Sequence, residues 1–388
     1  TFAMETYADD PCEIFKPFID FNGESSPRQK TQRLIAQMHK AIAVIQFKLE
    51  SQLYLQNPDW KMQERCLLEK MDFEKGTIEY NGKIYPIEDT YFPTIDPANP
   101  YCLNEEEQEI MDSLVRSFRT SERLQRHMQC LLTNGGLYAV CNSNLLFHAS
   151  MPLNEDGSLR EVNIQGCSYK GKELMRRIEQ IIRLAYEEGP DDDEKAYARD
   201  YFWYLWCGPD SPLFDKSKMT TFERYFIKDK EVHAEEKGWY FKLRDKEEVC
   251  DRLLDDFEVT GTHRHIINGH VPVKTLKGEN PIKANGKLMV IDGGFSKAYH
   301  LETGIAGYTL EYHSRGFQLV QHEPFTSMQK AIEEGQDIKS TTQIVELSSQ
   351  RVMVKDTDKG RELVTQIEDL KKLLMAYRIG MIKERIYQ

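Results

Sequence analysis

The sequence predicts an α/β fold in which large helical segments are inserted between the strands of one sheet system. Three observations carry that expectation. Apolar residues recur in steps of three and four behind helix-start signals, first in the opening third of the chain and again after residue 171. Beyond Gly136 the texture changes to short apolar runs punctuated by Asn, Ser, Gly and Pro. A chain of 388 residues that is 40% apolar and 11% aromatic can also build a substantial core, which excludes bulk disorder.

The elements follow in order. Ser26-Pro27-Arg28-Gln29 reads as a capping box, with Ser at N-cap, Pro at N1 and Gln at N3. Leu34, Met38, Ile42, Ile45, Leu49 and Leu53 draw one apolar stripe along the helix behind it, and Asn57-Pro58 stops that helix. Gly76 to Tyr85 alternates around Asn81-Gly82, a strong hairpin signal. Asn104 to Glu107 opens a second helix, with Ile110, Leu114, Val115 and Phe118 inward; it resumes after Ser121 and ends at Asn134-Gly135-Gly136. Strands are expected at Leu137 to Cys141 and Leu145 to His148, joined by the turn Asn142-Ser143-Asn144.

Helices return over Lys172 to Glu188 and Glu194 to Trp206, separated by Asp191-Asp192-Asp193. Asp245 to Phe257 forms another, with Asp245 as N-cap and Glu248 at N3. Strands follow at 262–267, 287–291, 308–312 and 317–320, again near 343–354, and a final helix runs from about Asp358 to Ile386. On that helix Leu363, Ile367, Leu370, Leu374, Tyr377 and Met381 form a coiled-coil seam, which either joins subunits into a homo-oligomer or docks back on the chain. The aromatic run Tyr197, Tyr201, Phe202, Trp203, Tyr204 and Trp206 reads as core or subunit contact rather than as a sugar-stacking surface. The expected organisation is a mainly helical segment over 1–134, a sheet-bearing domain over 135–325 with a helical insert near 171–257, and a closing strand and helix over 326–388.

Charge and cysteine usage narrow the function classes. Lys plus Arg is 51 against 63 Asp plus Glu, a net charge of −12, which argues against non-specific binding to nucleic acid or to an anionic membrane. The longest apolar run, Tyr201 to Cys207, is far short of the ~20 residues that cross a bilayer. The eight cysteines include no C-x-x-C pair and lie at least eleven residues apart, so they read as buried, reduced thiols of a cytoplasmic protein. Thr1 to Asp10 has neither the basic nor the apolar region of a signal peptide.

Two histidines stand out by position. His148 ends the run Leu145-Leu146-Phe147, and His270 follows Ile266-Ile267-Asn268-Gly269. Open α/β sheets place ligand sites at the carboxyl ends of their strands, and the small neighbours Ala149 and Gly269 leave room for close approach. Each ring is therefore either a metal ligand or a strand-end histidine satisfied by a backbone carbonyl. Arg264, Lys274 and Lys216 are the basic residues placed to contact a phosphate, with a solvated surface charge as the other reading of each. His263 and His265 are possible proton donors near the same turn, and Gly293-Gly294 is either an anion-binding backbone or a tight turn.

These residues also carry a resemblance. Gly269-His270-Val271-Pro272 is similar to the G-H-T-P element of calcineurin-like metallophosphoesterases, and Leu145 to Pro152 is similar to their strand-H-G-G-x-x-P element. Leu145 to Leu159, Trp203 to Phe226, Ile267 to Lys274 and Leu288 to Leu310 resemble the class 3 fructose-1,6-bisphosphatases of bacteria within that superfamily, and the similarity extends to Leu370 to Ile379. The resemblance implies the back part of a metallophosphoesterase β-sandwich flanked by helices, with large helical insertions. It implies removal of the 1-phosphate of fructose 1,6-bisphosphate, a gluconeogenic step, at a two-metal site in which manganese is the expected ion. His148 and His270 would be two ligands of one metal, and a small sugar bisphosphate the partner.

The superfamily's D-x-H, G-D-x-x-D-R and G-N-H-D or G-N-H-E patterns occur nowhere in the sequence. With the opening Thr1, this leads to the expectation of a fragment that lacks the bridging carboxylate and the general acid, and that is inactive alone. A departure at His148-Ala149, where the superfamily has Gly, would crowd the backbone. Two alternatives stand beside this reading. One is a phosphoprotein or dinucleotide phosphatase of the same superfamily. The other is a non-catalytic assembly or regulatory protein that kept the fold.

Overall fold

A computed structural model describes residues 1–17, 29–187, 189–190, 192–296, 299–325, 327–335 and 339–382. The fold is mixed α/β and divides into two compact units. The first comprises Thr1–Gly136, Asn163–Cys167 and Glu179–Gly238, and the second Leu137–Val162, Ser168–Ile178 and Trp239–Gln388. The residues Ser26 to Arg28 of the expected capping box, Asp191, and the final helix's expected end at Ile386 lie outside the described residues.

The first unit has the Gln29–Gln56 helix as its spine. The face it buries coincides only in part with the stripe expected from its apolar residues, of which Ile45 is buried. Met38 and Ile42 are exposed, whereas Lys40 and Lys48 are fully buried beside Val44, Phe47 and Tyr54. Burial of two ammoniums is tolerated because each is paired. Lys40 meets Asp10 and, at 2.7 Å, Asp89; Lys48 meets Glu107 at 2.7 Å. Ile42, Leu49 and Leu53 instead border an apolar groove with Met111 and Trp203. Glu107 has a second task. Asn104 and Glu107 exchange hydrogen bonds as the expected capping box of the Glu105–Thr120 helix, which is followed after Ser121 by the Glu122–Asn134 helix.

Strands β1 (Met71–Asp72), β2 (Thr77–Tyr80) and β3 (Lys83–Pro86) form a small antiparallel sheet. The β2–β3 turn is Asn81-Gly82, both at positive φ, as a two-residue hairpin needs. Phe47, Phe92 and Phe222 pack around Phe226 with ring centroids 4.9–6.1 Å away. In the Asp193–Cys207 helix Tyr201 and Tyr204 are buried against Trp60, while Phe202 and Trp206 are exposed.

The second unit holds a five-stranded sheet. It contains β4 (Tyr138–Cys141), β5 (Asn144–Phe147), β8 (His265–Asn268), β9 (Ile282–Lys283) and β10 (Leu288–Val290), in the order β4-β5-β8-β10-β9. The intervening β6 (Val162–Ile164) and β7 (Cys167–Tyr169) pair only with each other. The three central strands β5, β8 and β10 are parallel, and the edges β4 and β9 are antiparallel to their neighbours. Asn142 and Ser143 turn β4 into β5 at positive φ. A three-stranded antiparallel sheet follows, built from β11 (Gly307–His313), β12 (Gly316–His322) and β13 (Ser340–Leu347).

Alternation sends Leu145, Phe147, Ile266, Leu288 and Val290 into one core, with Tyr308 and Leu319 from the second sheet and Leu253, Leu254 and Phe257 from the chain around the Glu247–Asp256 helix. Ile267 and Met289 face the other way and meet Phe317. The Glu247–Asp256 helix begins later than its sequence suggests. Its N-cap is Lys246, and Asp245 turns instead toward Lys283, 3.6 Å away. The Asp358–Arg378 helix is capped by Thr357, whose hydroxyl accepts from Gly360 N–H at 3.0 Å. Its seam residues Leu363, Ile367, Leu370, Leu374 and Tyr377 remain exposed among the described residues.

Candidate functional site

Parallel strands deliver their successors to one edge of a sheet, and here three neighbours do so. The chain after β5 gives His148, the chain after β8 gives Gly269-His270, and the chain after β10 gives Asp292-Gly293-Gly294. Their register is fixed by Leu146 opposite Ile267 and Ile267 opposite Met289. Beyond the strands the pattern continues, with Gly269 N–H donating to His148 O and Ile291 N–H to Asn268 O, each at 2.9 Å. His270 then adopts φ +69, a left-handed backbone uncommon for a bulky side chain, which turns the chain out of the sheet.

The result is that His148 Nε2 and His270 Nδ1 lie 3.0 Å apart, with ring planes at 67°. Two imidazole nitrogens held ~2.0–2.1 Å from one ion in adjacent positions would be separated by about 3 Å, so the pair fits two ligand positions of one metal. It equally satisfies a ring-to-ring hydrogen bond. Among the described residues no group of three or more His, Cys, Asp or Glu stands together as a metal site.

Gly269 lies between the two other strand ends: a Cβ there would stand 3.5 Å from Asp292 Cβ and 3.8 Å from His148 O. Asp292 accepts from Gly294 N–H at 2.9 Å, and its own carbonyl accepts from Val273 N–H at 2.9 Å, which ties the His270 turn to the end of β10. Gly293 can be nothing larger, since a Cβ would come within 2.5 Å of Gly307 Cα. Asp292 is the site-edge residue that sequence reasoning missed, although the Asp-Gly-Gly following an apolar run was its signal. Ala149 follows His148 at the end of β5. It is buried without a positive φ, and its carbonyl accepts from Asn268 Nδ2 at 3.0 Å.

Lys274, four residues past His270, is paired with Glu302 at 3.2 Å, and its N–H donates to Glu279 at 3.1 Å. Burial alone would raise the Glu279 carboxyl, but the Lys274 N–H, Lys283 and Arg244 together hold it below the usual carboxylate range. Arg264 is placed away from the turn that carries His270. It precedes β8, at the end of the strand opposite His270, where Asp251 and Asp255 hold it. The four residues of β8, at ~3.3 Å each, separate it from the Gly269-His270 turn along the chain.

His263 and His265 sit at that same far end and both meet Glu346 on β13, His265 at 2.9 Å. Neither is turned to the His148 edge. Burial holds the His265 ring below the ordinary histidine range, with Glu346 opposing and His263 adding to it. Lys216 belongs to the first unit and is paired with Glu235 at 2.9 Å.

The Firmicute fructose-1,6-bisphosphatase family matches residues 1–379. Among curated proteins, a class 3 fructose-1,6-bisphosphatase of Bacteroides fragilis is 66% identical over 386 residues, covering 100% of this chain and 58% of the relative. One of Phocaeicola vulgatus is 66% identical over 386 residues, covering 99% and 58%, and one of Clostridium botulinum is 54% identical over 385 residues, covering 99% and 57%. The chain thus spans 58% of the length of the first of these relatives. No solved structure matches it. With nearly every residue inside the match, the chain belongs to the Firmicute fructose-1,6-bisphosphatase family.

Proposed function

We propose that this chain supplies part of a metal-dependent fructose-1,6-bisphosphatase, which hydrolyses the 1-phosphate of fructose 1,6-bisphosphate to give fructose 6-phosphate and phosphate, a gluconeogenic step of the cytoplasm. The observation that carries the reading is the meeting of His148 and His270 at the ends of adjacent parallel strands. It occurs in a chain whose relatives bear that enzyme's name. The shared core of the two sheets in the second unit supports a calcineurin-like β-sandwich as its frame.

In this reading His148 and His270 would hold one manganese ion, which would take the place of the hydrogen bond that now joins the two rings. When bound, such ions polarise phosphoryl oxygens and make a water acidic enough to act as nucleophile. The chain's own contribution is orientation. Gly269 keeps the floor of the site open, and the Asp292 carbonyl anchors the turn that presents His270. Lys274 is the phosphate contact, reached when its exposed pair with Glu302 opens. On this reading the bridging carboxylate and the proton donor would come from the share of the relatives' length that this chain does not span.

The test is manganese-dependent phosphate release from fructose 1,6-bisphosphate by the full-length Bacteroides fragilis relative and by this chain alone. Alanine at the relative's positions matching His148 and His270 should abolish release, and this chain alone should release none. Full activity in both substituted relatives would overturn the assignment.

A further inference from the structure

A cavity of about 320 Å³ in the first unit is bordered by Arg65, Lys70, Asn81, Ser217 and Lys218, at the lower end of the ~300–1,000 Å³ range of ligand sites. Its cations are not equivalent. Arg65 is committed: its guanidinium grips both Glu223 oxygens and Met219 O, which makes it a structural anchor. Lys70 and Lys218 are different. Both are half-buried, and neither has a carboxylate partner among the described residues. Lys70 Nζ donates to Glu64 O at 2.7 Å. Lys218 Nζ donates to Tyr80 Oη at 2.6 Å and stands 5.0 Å from that ring's centroid.

Tyr80 explains why Lys218 keeps its charge available. Its hydroxyl donates to Glu223 at 2.6 Å, and burial followed by the Glu223 carboxylate pushes the phenol well above its ordinary range. It therefore stays neutral and can only accept from Lys218. Glu223 in turn is neutralised by Arg65, so nothing in this chain of hydrogen bonds cancels the ammonium. Two half-buried ammoniums held over one cavity match two negative charges. Carboxylates of Glu64 and Glu236 also border the cavity, but both residues are exposed, where solvent and salt screen them.

We propose that this cavity binds a small metabolite through a phosphate dianion, held by Lys70 and Lys218 with Ser217 and Asn81 as neutral hydrogen-bonding partners. The site is built from first-unit residues alone, so it stands or falls independently of the histidine pair.

Inorganic phosphate is the probe, measured by calorimetry on the whole chain without added metal and at constant ionic strength, with acetate as the monoanion control. Phosphate should bind at least tenfold more tightly than acetate. Lys70→Gln and Lys218→Gln should each weaken it at least tenfold. Lys218→Arg should retain most of it, and Lys83→Gln, an exposed lysine outside the cavity, should leave it unchanged. The double variant His148→Ala/His270→Ala should also bind phosphate normally, which separates this site from the strand-end one. Equal affinity for acetate, or undiminished phosphate binding in a natively folded Lys70→Gln/Lys218→Gln protein, would overturn the proposal.

Discussion

Gly293→Ala is the sharpest test of how the strand-end site is built. The added Cβ would lie 2.5 Å from Gly307 Cα, 2.9 Å from Gly307 C and 3.0 Å from Ile305 Cδ1. Ordinary carbon contacts are ~3.5–4.0 Å, so the start of β11 must retreat by about 1 Å. Two of those three atoms are backbone, and β11 is paired to β12 along its whole length, so the movement cannot be absorbed by one rotamer. Overpacking of this kind costs about 1–3 kcal/mol, and backbone clashes belong at the upper end. At ~2–4 °C per kcal/mol for a unit of this size, a 3 kcal/mol loss lowers the midpoint by about 6–12 °C.

Gly269→Ala is the matched control. Its Cβ meets nothing nearer than 3.5 Å, and its φ is not positive. Reduced unfolded-state entropy should then leave it neutral or stabilised by ~0.4–1 kcal/mol. Urea and thermal unfolding followed by circular dichroism measure both variants, and in this chain of two units only the second unit's transition should move. If Gly293→Ala and Gly269→Ala differ by less than about 1 kcal/mol, the tight approach of β10's end to β11 is not what holds Asp292 in place.

Other outcomes follow from the same structure. Removing either ring with His148→Ala or His270→Ala should weaken binding of Zn²⁺ or Mn²⁺ at least tenfold by calorimetry, ~1.4 kcal/mol or more. Glu107→Gln keeps the capping box but strips Lys48 of its countercharge, so unfolding free energy should fall by ~3–5 kcal/mol, and Lys48→Met/Glu107→Leu should recover most of it. His265 has its pKa lowered in the fold. Its contribution to stability is therefore complete above the unfolded value of ~6.5 and is lost as pH falls below it. Replacing His265 with Asn should flatten the unfolding curve between pH 7 and the lower folded pKa, and an unchanged slope would refute this. Burial pushes the thiols of Cys12, Cys207 and Cys250 up to about 12, while Cys102, Cys130, Cys141 and Cys167 are exposed. A thiol reagent at pH 8 should thus titrate four groups in the native protein and all eight in denaturant.

How much of this was legible in the sequence depended on how far apart the deciding residues lie. Turns and caps were readable because their causes are local: Asn81-Gly82 and Asn142-Ser143 sit at the positive φ values their turns require, and Asn104 reaches Glu107 three residues on. The strand-end histidines were readable as candidates because each follows an apolar run whose length and punctuation mark a buried strand. That they face each other was implied by the family resemblance alone, since it depends on the parallel pairing of β5 with β8 across 121 residues of sequence. Arg264 shows the converse error. Six residues is a short interval in sequence, yet along an extended strand it carries a side chain to the opposite end of the sheet.

The helical spine makes the deeper point. Counting apolar side chains selects the Leu34, Met38, Ile42 stripe because lysine is scored as a surface residue. That score holds only for an unpaired ammonium. Once Asp10, Asp89 and Glu107 arrive from distant segments, Lys40 and Lys48 can be buried, the buried face rotates, and Ile42 is left at a groove. Lys218 obeys the same logic with the opposite outcome. It donates to the neutral Tyr80, and the Glu223 carboxylate to which that hydroxyl donates is spent on Arg65. What separates a structural lysine from a ligand-binding one in this protein is therefore the charge of the partner it meets. That partner lies 30 and 49 residues away for Lys40, 59 for Lys48 and 138 for Lys218. If Lys70→Gln/Lys218→Gln stabilises the chain in the absence of phosphate while abolishing phosphate binding, that distinction is established: relieving two uncompensated cations helps a fold, whereas breaking the pair of Lys48 harms it.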